Sequence, residues 1–250
     1  MSTILHGDNT LKAIIWDYDG TLVDTRQKNY QVILEVVRVV TGKSQENNPV
    51  LRSFDDYLAS TYRVMNWREL YTLEIGLSEE ETDLAGSLWT EYQLKDITPV
   101  KVFDGLGVVL ESLDNFPQGI VSMNGKKNIA EVLGDNNLSP FFDVIIGYEQ
   151  IPFSKQKPDP EPLRLCLEKL INNDSGLILY IGDHKTDFEC AKNTNYEFEK
   201  SRQQSRVLSV GALYGYLTEN TKLGTKPDFW AHQPGDILAI VAQISSTSGY

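Results

Sequence analysis

The stretch "IIWDYDGTLVDT", Ile14–Thr25, decides the reading of this chain. Three apolar residues run straight into Asp17. Asp19 follows two positions on, and then come Gly20 and Thr21. The apolar run reads as the end of a buried strand. In an extended chain, side chains at i and i+2 point to the same side, so Asp17 and Asp19 converge if strand geometry persists. Two close carboxylates repel unless a cation or a proton lies between them. Gly20 permits a sharp departure of the backbone, and Thr21 can hydrogen-bond locally. Taken alone, the pattern fits an acidic turn as well as it fits a site.

Working outward, five apolar runs read as strands: Leu11–Asp17, Gln118–Ser122, Asp143–Gly147, Leu177–Gly182 and Arg206–Gly211. They are continuous rather than alternating, which suits strands buried on both faces. Apolar residues at helical spacing lie between the later ones, at Leu106–Leu113, Ile129–Leu133 and Leu163–Leu170. Strands alternating with helices imply βαβ units, a parallel sheet and ligands at the carboxyl ends of the strands. The fold class is therefore α/β, a Rossmann-like parallel sheet core flanked by helices.

One interval interrupts the alternation. Between Arg26 and Thr98 no strand is evident. Tyr30, Ile33, Leu34, Val37 and Val40 form a helical apolar face, closed by Gly42 as a C-terminal cap. Further helices are expected at Val50–Val64, Trp67–Leu73 and Glu79–Leu94, the last opened by a Ser78/Glu81 capping box. Residues 26–98 thus read as an inserted all-helical domain, and residues 1–25 and 99–250 as the α/β core. Pro99 and the "FDG" at Phe103–Gly105 mark the return. Lys192–Arg206 reads as a helix end and an exposed loop. A C-terminal helix is expected at Ile237–Ile244, followed by a disordered Ser-rich tail.

The 250 residues carry a formal net charge of −12. Such a surface repels nucleic acid and anionic membranes, so neither is expected as a partner. An anionic substrate would need positive charge supplied locally, by a metal or a few placed Lys and Arg. No apolar stretch is long enough to span a membrane, and no secretory signal is read at the N-terminus. Cys166 and Cys190 sit among apolar neighbours without zinc-ligand spacing, and read as buried free thiols in a cytoplasmic protein.

Three other segments bear on chemistry. "LYIGDHKTDFECA" ends the fourth strand in Asp183, with Asp187 four residues on, one turn further along the same helix face. An N-cap aspartate followed by a first-turn acid explains each residue separately. It does not explain why two strands both end in paired acids. Gathered carboxylates with room for water suit Mg²⁺. "IVSMNGKK" places Ser122 at the end of the second strand. "SKQKPDPEP" stiffens the chain around Lys157 with Pro158 and Pro160.

In order and content these four segments resemble the haloacid dehalogenase superfamily. "DYDGTLVDT" is similar to its DxDGTLxD signature, "GDHKTD" to its GDxxxD motif and "KPDP" to its lysine loop, and the helical insert is similar to its cap of the first class. The resemblance spans Lys12 to Ile244. It implies that Asp17 is a nucleophile forming an aspartyl-phosphate, and that Asp19 protonates the leaving oxygen and then activates water. It implies Mg²⁺ held by Asp17, the Asp19 carbonyl oxygen and Asp183, with Asp187 supporting, and phosphoryl oxygens held by Ser122 and Lys157. The implied activity is Mg²⁺-dependent hydrolysis of a small phosphorylated metabolite, nearest to the phosphoglycolate phosphatase-like enzymes. Pyrophosphatases and nucleotidases stay open, as do a phosphomutase of the β-phosphoglucomutase type and a non-catalytic binding domain. The mutases add a histidine ten residues after the second aspartate, where this chain has Asn29. Met123 separates Ser122 from Asn124, whereas the family's pattern sets Asn directly after the Ser or Thr; Asn124 receives no role on that basis.

The remaining signals are weaker. "TGKS" at Thr41–Ser44 lacks the first glycine of a phosphate loop and reads as a helix end. Gly105 and Gly107 lack the third glycine of a dinucleotide fingerprint. His184 reads as a solvated loop histidine, His6 and His232 as incidental, and Trp16 and Tyr18 as packing residues. Arg52, Arg63 and Arg68 are candidate substrate contacts in the helical insert, because guanidinium groups suit carboxylate or phosphate.

Overall fold

The computed structural model describes residues 10–44, 47–172, 174–215 and 223–247. His6 and the end of the Ser-rich tail, residues 248–250, lie outside the described residues. The chain divides into two compact units, Met1–Val23 with Val102–Tyr250, and Asp24–Lys101.

The first unit holds a six-stranded parallel sheet. In chain order its strands are β1 (Leu11–Trp16), β4 (Gln118–Val121), β5 (Val144–Ile146), β6 (Leu177–Gly182), β7 (Arg206–Ala212) and β8 (Phe229–Ala231). In space they run β5-β4-β1-β6-β7-β8. Two-residue strands β2 (Val23–Asp24) and β3 (Lys101–Val102) form a separate two-stranded sheet. Helices α5 (Leu106–Ser112), α6 (Lys126–Asp135), α7 (Glu161–Ile171), α8 (Lys185–Ser201) and α9 (Asp236–Thr247) complete this unit. Ala13 and Ile15 of β1, Ile178 and Tyr180 of β6 and Val207 of β7 share one buried cluster with Leu163, Cys166 and Leu167 of α7 and Cys190, Ala191 and Phe198 of α8. The strands are apolar on both faces because helices cover both, as continuous apolar runs require. Both cysteines are free and buried, and burial pushes each thiol up to about 12.

The five expected strands are present: Leu177–Gly182 has the expected bounds, and the other four are shorter or longer by one or two residues. β8 was not legible, being three residues with Trp230 at its centre. Lys192–Arg206, expected as a helix end and an exposed loop, is mostly helix: α8 continues to Ser201 and buries Thr194 and Phe198, and only residues 202–205 form the loop before β7.

The second unit contains α1 (Arg26–Thr41), α2 (Phe54–Thr61), α3 (Trp67–Glu69), a π-helical turn over Leu70–Ile75 and α4 (Glu79–Lys95). Its own core gathers Val32, Ile33, Val36 and Val37 of α1 with Tyr57, Tyr71, Ile75 and Ala85. Gly42 closes α1 at φ 66°, its N–H donating to Arg38 O. Ser78 opens α4 as expected: its Oγ accepts from Glu81 N at 3.2 Å, and Glu81 Oε2 accepts from Ser78 N at 2.8 Å. The helix expected at Val50–Val64 begins only at Phe54. Ser53 caps it by accepting from Asp56 N, and the Asn48 side chain accepts from Val50 N in the preceding turn. Among the described residues no helix is long and apolar enough to cross a membrane.

Candidate active site

The topology explains why residues far apart in sequence meet. β4, β1 and β6 are adjacent and parallel, so their carboxyl ends open on the same edge of the sheet. The chain builds outward from β1 through β4 to β5, then returns to β6 on β1's other side. This reversal is the crevice where ligands bind in open α/β sheets. Asp17 leaves β1 there, its N–H still paired with Ile181 O at 2.8 Å. Ser122 leaves β4, its N–H paired with Ile146 O at 3.0 Å. Asp183 follows Gly182 at the end of β6.

After Asp17 the chain folds into a tight loop. Tyr18 O accepts from Leu22 N at 3.0 Å, and Gly20 N donates to Val23 O at 2.9 Å. Gly20 sits at φ 79°. A Cβ there would lie 2.6 Å from Asp183 Cγ, so this glycine lets the first loop close on the third. Trp16 and Tyr18 are buried packing residues, as expected; the Trp16 indole donates to Gln118 Oε1 at 2.9 Å.

Lys157 enters from the loop between β5 and α7. Its buried ammonium donates to Asp17 Oδ1 at 2.8 Å, Asp187 Oδ1 at 2.6 Å and Val121 O at 3.2 Å. All three ammonium hydrogens are thus used, as a buried lysine requires. Asp187 stands in the first turn of α8, where Oδ2 accepts from His184 N at 3.0 Å and Oδ1 also accepts from the Tyr180 hydroxyl at 3.0 Å. His184 is therefore not a solvated loop residue: it is the half-buried N-cap of α8, with Nδ1 2.9 Å from Thr186 Oγ1. His232 bonds to Asp236 through its backbone N–H, away from these groups.

Asp17, Asp183 and Asp187 are each buried, and one carboxylate oxygen of each lies within 4.8 Å of the others. The Asp19 side chain is outside this trio and half-buried. Its carboxylate accepts from Asn124 Nδ2 at 3.3 and 3.2 Å. Ser122 Oγ accepts from Asn124 N at 3.0 Å, which leaves its hydroxyl hydrogen for another acceptor. The four loops read from the sequence therefore do meet. Tyr180 is an addition that sequence spacing did not assign, because a lone polar residue in a strand carries no pattern; Asn124, given no role because Met123 separates it from Ser122, joins the cluster through Asp19.

Electrostatics shape what this cluster can hold. Burial pushes the Asp17 carboxyl up to about 7; Asp187 and Asp19 add to the shift and Lys157 opposes it. Burial, then Asp17 and Asp187, raise Asp183 well above the usual carboxylate range. Burial works against the charge on Lys157, but Asp17 and Asp187 outweigh it and keep the ammonium protonated. One ammonium facing three buried carboxylates leaves a deficit of positive charge. The donors are hard oxygens, and Thr21 Oγ1 at 3.4 Å is a weak partner for Asp183. Oxygen ligands around such a deficit fit Mg²⁺.

The arginines of the helical unit are engaged by acids of that same unit. Arg52 pairs with Asp56 at 2.7 Å, Arg63 with Glu74, and Arg68 with Glu79 and Asp83. Asn29 accepts from Gln93 Nε2 at 2.6 Å and donates to Thr25 Oγ1 at 3.2 Å, joining α1 to α4.

The chain is similar to known proteins over most of its length. The chain is 26% identical over 237 residues to the pyrophosphatase PpaX of Listeria monocytogenes serotype 4a, covering 92% of this chain and 96% of the relative. It is 24% identical over 234 residues to a phosphoglycolate phosphatase of Aquifex aeolicus, covering 92% and 97%. A haloacid dehalogenase-like family hydrolase from Streptococcus pneumoniae superposes with a TM-score of 0.69 at 19% identity, covering 92% of this chain and 98% of that one. The family model for haloacid dehalogenase-like hydrolases matches residues 14–199, and the chain belongs to that family.

Proposed function

We propose that this protein is a Mg²⁺-dependent phosphatase that hydrolyses a small phosphorylated metabolite through an aspartyl-phosphate on Asp17. The observation that carries the reading is the convergence of three buried carboxylates, Asp17, Asp183 and Asp187, two of which, Asp17 and Asp187, pair with the buried Lys157, beside the half-buried Asp19. In the first half-reaction an Asp17 oxygen attacks phosphorus and the bond to the leaving oxygen breaks. Asp19 delivers its proton to that oxygen, so the product departs as an alcohol. In the second, Asp19 takes a proton from a water that attacks the aspartyl-phosphate. Inorganic phosphate leaves and Asp17 is restored. Covalent catalysis splits one hard displacement into two easier ones.

Lys157 orients Asp17 and places positive charge where the phosphoryl oxygens gather; the Ser122 hydroxyl donates to one of them. Asp17, Asp183 and the Asp19 carbonyl oxygen would hold Mg²⁺, with Asp187 in support, and the ion would neutralise charge building on the phosphoryl oxygens. Tyr180 and the His184 N–H fix Asp187. The helical unit Asp24–Lys101, similar to the family's cap of the first class, is the part of the chain to which substrate selection is assigned. A mutase reading loses support from Asn29, which is tied to Gln93 and Thr25 within that unit.

Relatives named pyrophosphatase favour inorganic pyrophosphate as a second candidate substrate. Phosphate release should be assayed with Mg²⁺ on phosphoglycolate, pyrophosphate, hexose phosphates and p-nitrophenyl phosphate. Turnover that EDTA abolishes and that Asp17→Asn lacks is the expected result. Folded protein with Mg²⁺ and no release from any of them would overturn the reading.

A further inference from the structure

The Asn124 carboxamide is the hub of four hydrogen bonds. Nδ2 donates to both carboxylate oxygens of Asp19, at 3.3 and 3.2 Å. Oδ1 accepts from Gly125 N at 2.8 Å and from Asn128 Nδ2 at 3.1 Å. This arrangement fixes which way the amide faces. Reversed, it would set an oxygen against a carboxylate and an NH₂ group against two donors. Asn124 and Asn128 are 4% and 6% exposed, so water competes little for these bonds. The backbone beneath is also tied: Asn124 N donates to Ser122 Oγ, and Asn124 O accepts from Tyr148 N at 3.1 Å. Asp19, by contrast, sits in the tight loop after β1, one residue before Gly20, with a half-buried side chain. A carboxylate on a loop needs a partner to hold its plane.

We propose that Asn124, oriented by Asn128 from the first turns of α6, is the positioning residue that aims the Asp19 carboxyl group at the leaving oxygen. This rests on the reading of Asp19 as the acid that protonates that oxygen. The contacts are long enough for one Asp19 oxygen to turn toward the substrate while the other stays on the amide. With Met123 between them, Asn124 stands two positions after Ser122, and from there its amide meets Asp19.

The test compares kcat/KM on phenyl phosphate and p-nitrophenyl phosphate, which are close in shape. Phenolate is the stronger base and needs the acid; p-nitrophenolate leaves almost unaided. General acid catalysis contributes about 10²–10⁴-fold, so a misaimed Asp19 should cost Asn124→Ala about tenfold or more on phenyl phosphate and under about threefold on p-nitrophenyl phosphate. Asn128→Ala should lose in the same graded way, less steeply, and it carries the test if Asn124→Ala does not fold. In an Asp19→Ala background, adding Asn124→Ala should change kcat/KM by less than about twofold, since residues acting as a unit are not additive. A loss in Asn124→Ala or Asn128→Ala that is equal on the two substrates, beside a graded loss in Asp19→Ala, would overturn this proposal alone. So would losses that multiply in the double variant. An equal loss in Asp19→Ala itself would overturn the acid–base reading of Asp19, and the proposal with it.

Discussion

Lys157→Met removes the one cation that touches both Asp17 and Asp187 while keeping much of the side-chain volume. In the native protein the ammonium is 2.8 Å from Asp17 and 2.6 Å from Asp187, with all three side chains nearly inaccessible to solvent. Removing one partner of a buried ion pair leaves uncompensated charge and costs about 3–5 kcal/mol. For a protein of this size each kcal/mol moves the melting temperature by about 2–4 °C, so a fall of about 6–20 °C is expected at pH 8 in EDTA. The fall should shrink at pH 5.5, because burial raises the Asp17 and Asp183 carboxyl groups, and with these protonated the repulsion within the cluster weakens. Thermal unfolding followed by circular dichroism, for wild type and variant at both pH values, measures this directly. A variant melting within about 2 °C of wild type at pH 8 would show that the lysine does not compensate the acids, and the electrostatic account of the cluster would fail.

Two further outcomes follow from the same cluster. Burial raises the Asp17 carboxyl from 3.8 to about 7 without metal, so the folded state holds a proton that the unfolded state has lost. The metal-free protein should therefore lose stability as pH rises from about 4 to about 7, and stabilisation by added Mg²⁺, which needs ionised carboxylates, should grow over the same window. Melting temperatures with and without Mg²⁺ at pH 5.5 and pH 8 check this; equal Mg²⁺ shifts at both would contradict it. Gly20→Ala should weaken Mg²⁺ binding, because its Cβ would press on the Asp183 carboxylate from a backbone at φ 79° that favours glycine. Isothermal titration with Mg²⁺ should show at least about a tenfold loss of affinity, and unchanged affinity would remove Gly20 from the site's construction.

The sheet was legible because its strands are buried on both faces and so read as unbroken apolar runs. β8 escaped because three residues with a partly exposed tryptophan give no run. The second half of α8 escaped because only Thr194 and Phe198 are buried there among charged and polar residues, so average polarity hid the helical period. In the helical unit, the expected helix at Trp67–Leu73 is only three residues of α-helix before a π-helical turn that ends at Gly76, φ 86°. Spacing alone does not separate those two windings. The four chemical segments were legible because three set acids or a serine at a strand end and the fourth sets a lysine just before two prolines. The groups that hold them in place were not. Tyr180 looks like any strand aromatic, and Asn128 like any polar residue on a helix. Asn124 lies one position later than the family's pattern sets its Asn, so the pattern gives it no role, while its amide reaches Asp19.

The most direct test of the central claim is chemical trapping of the phosphorylated protein. Enzyme mixed with Mg²⁺ and a ³²P-labelled substrate found in the release assay, then quenched in acid within milliseconds, should carry label on the peptide containing Asp17. The label should be lost on treatment with base or hydroxylamine, as acyl phosphates are, and should be missing from Asp17→Asn. Turnover with no label on that peptide at any quench time, or label retained in Asp17→Asn, would contradict a covalent mechanism through Asp17.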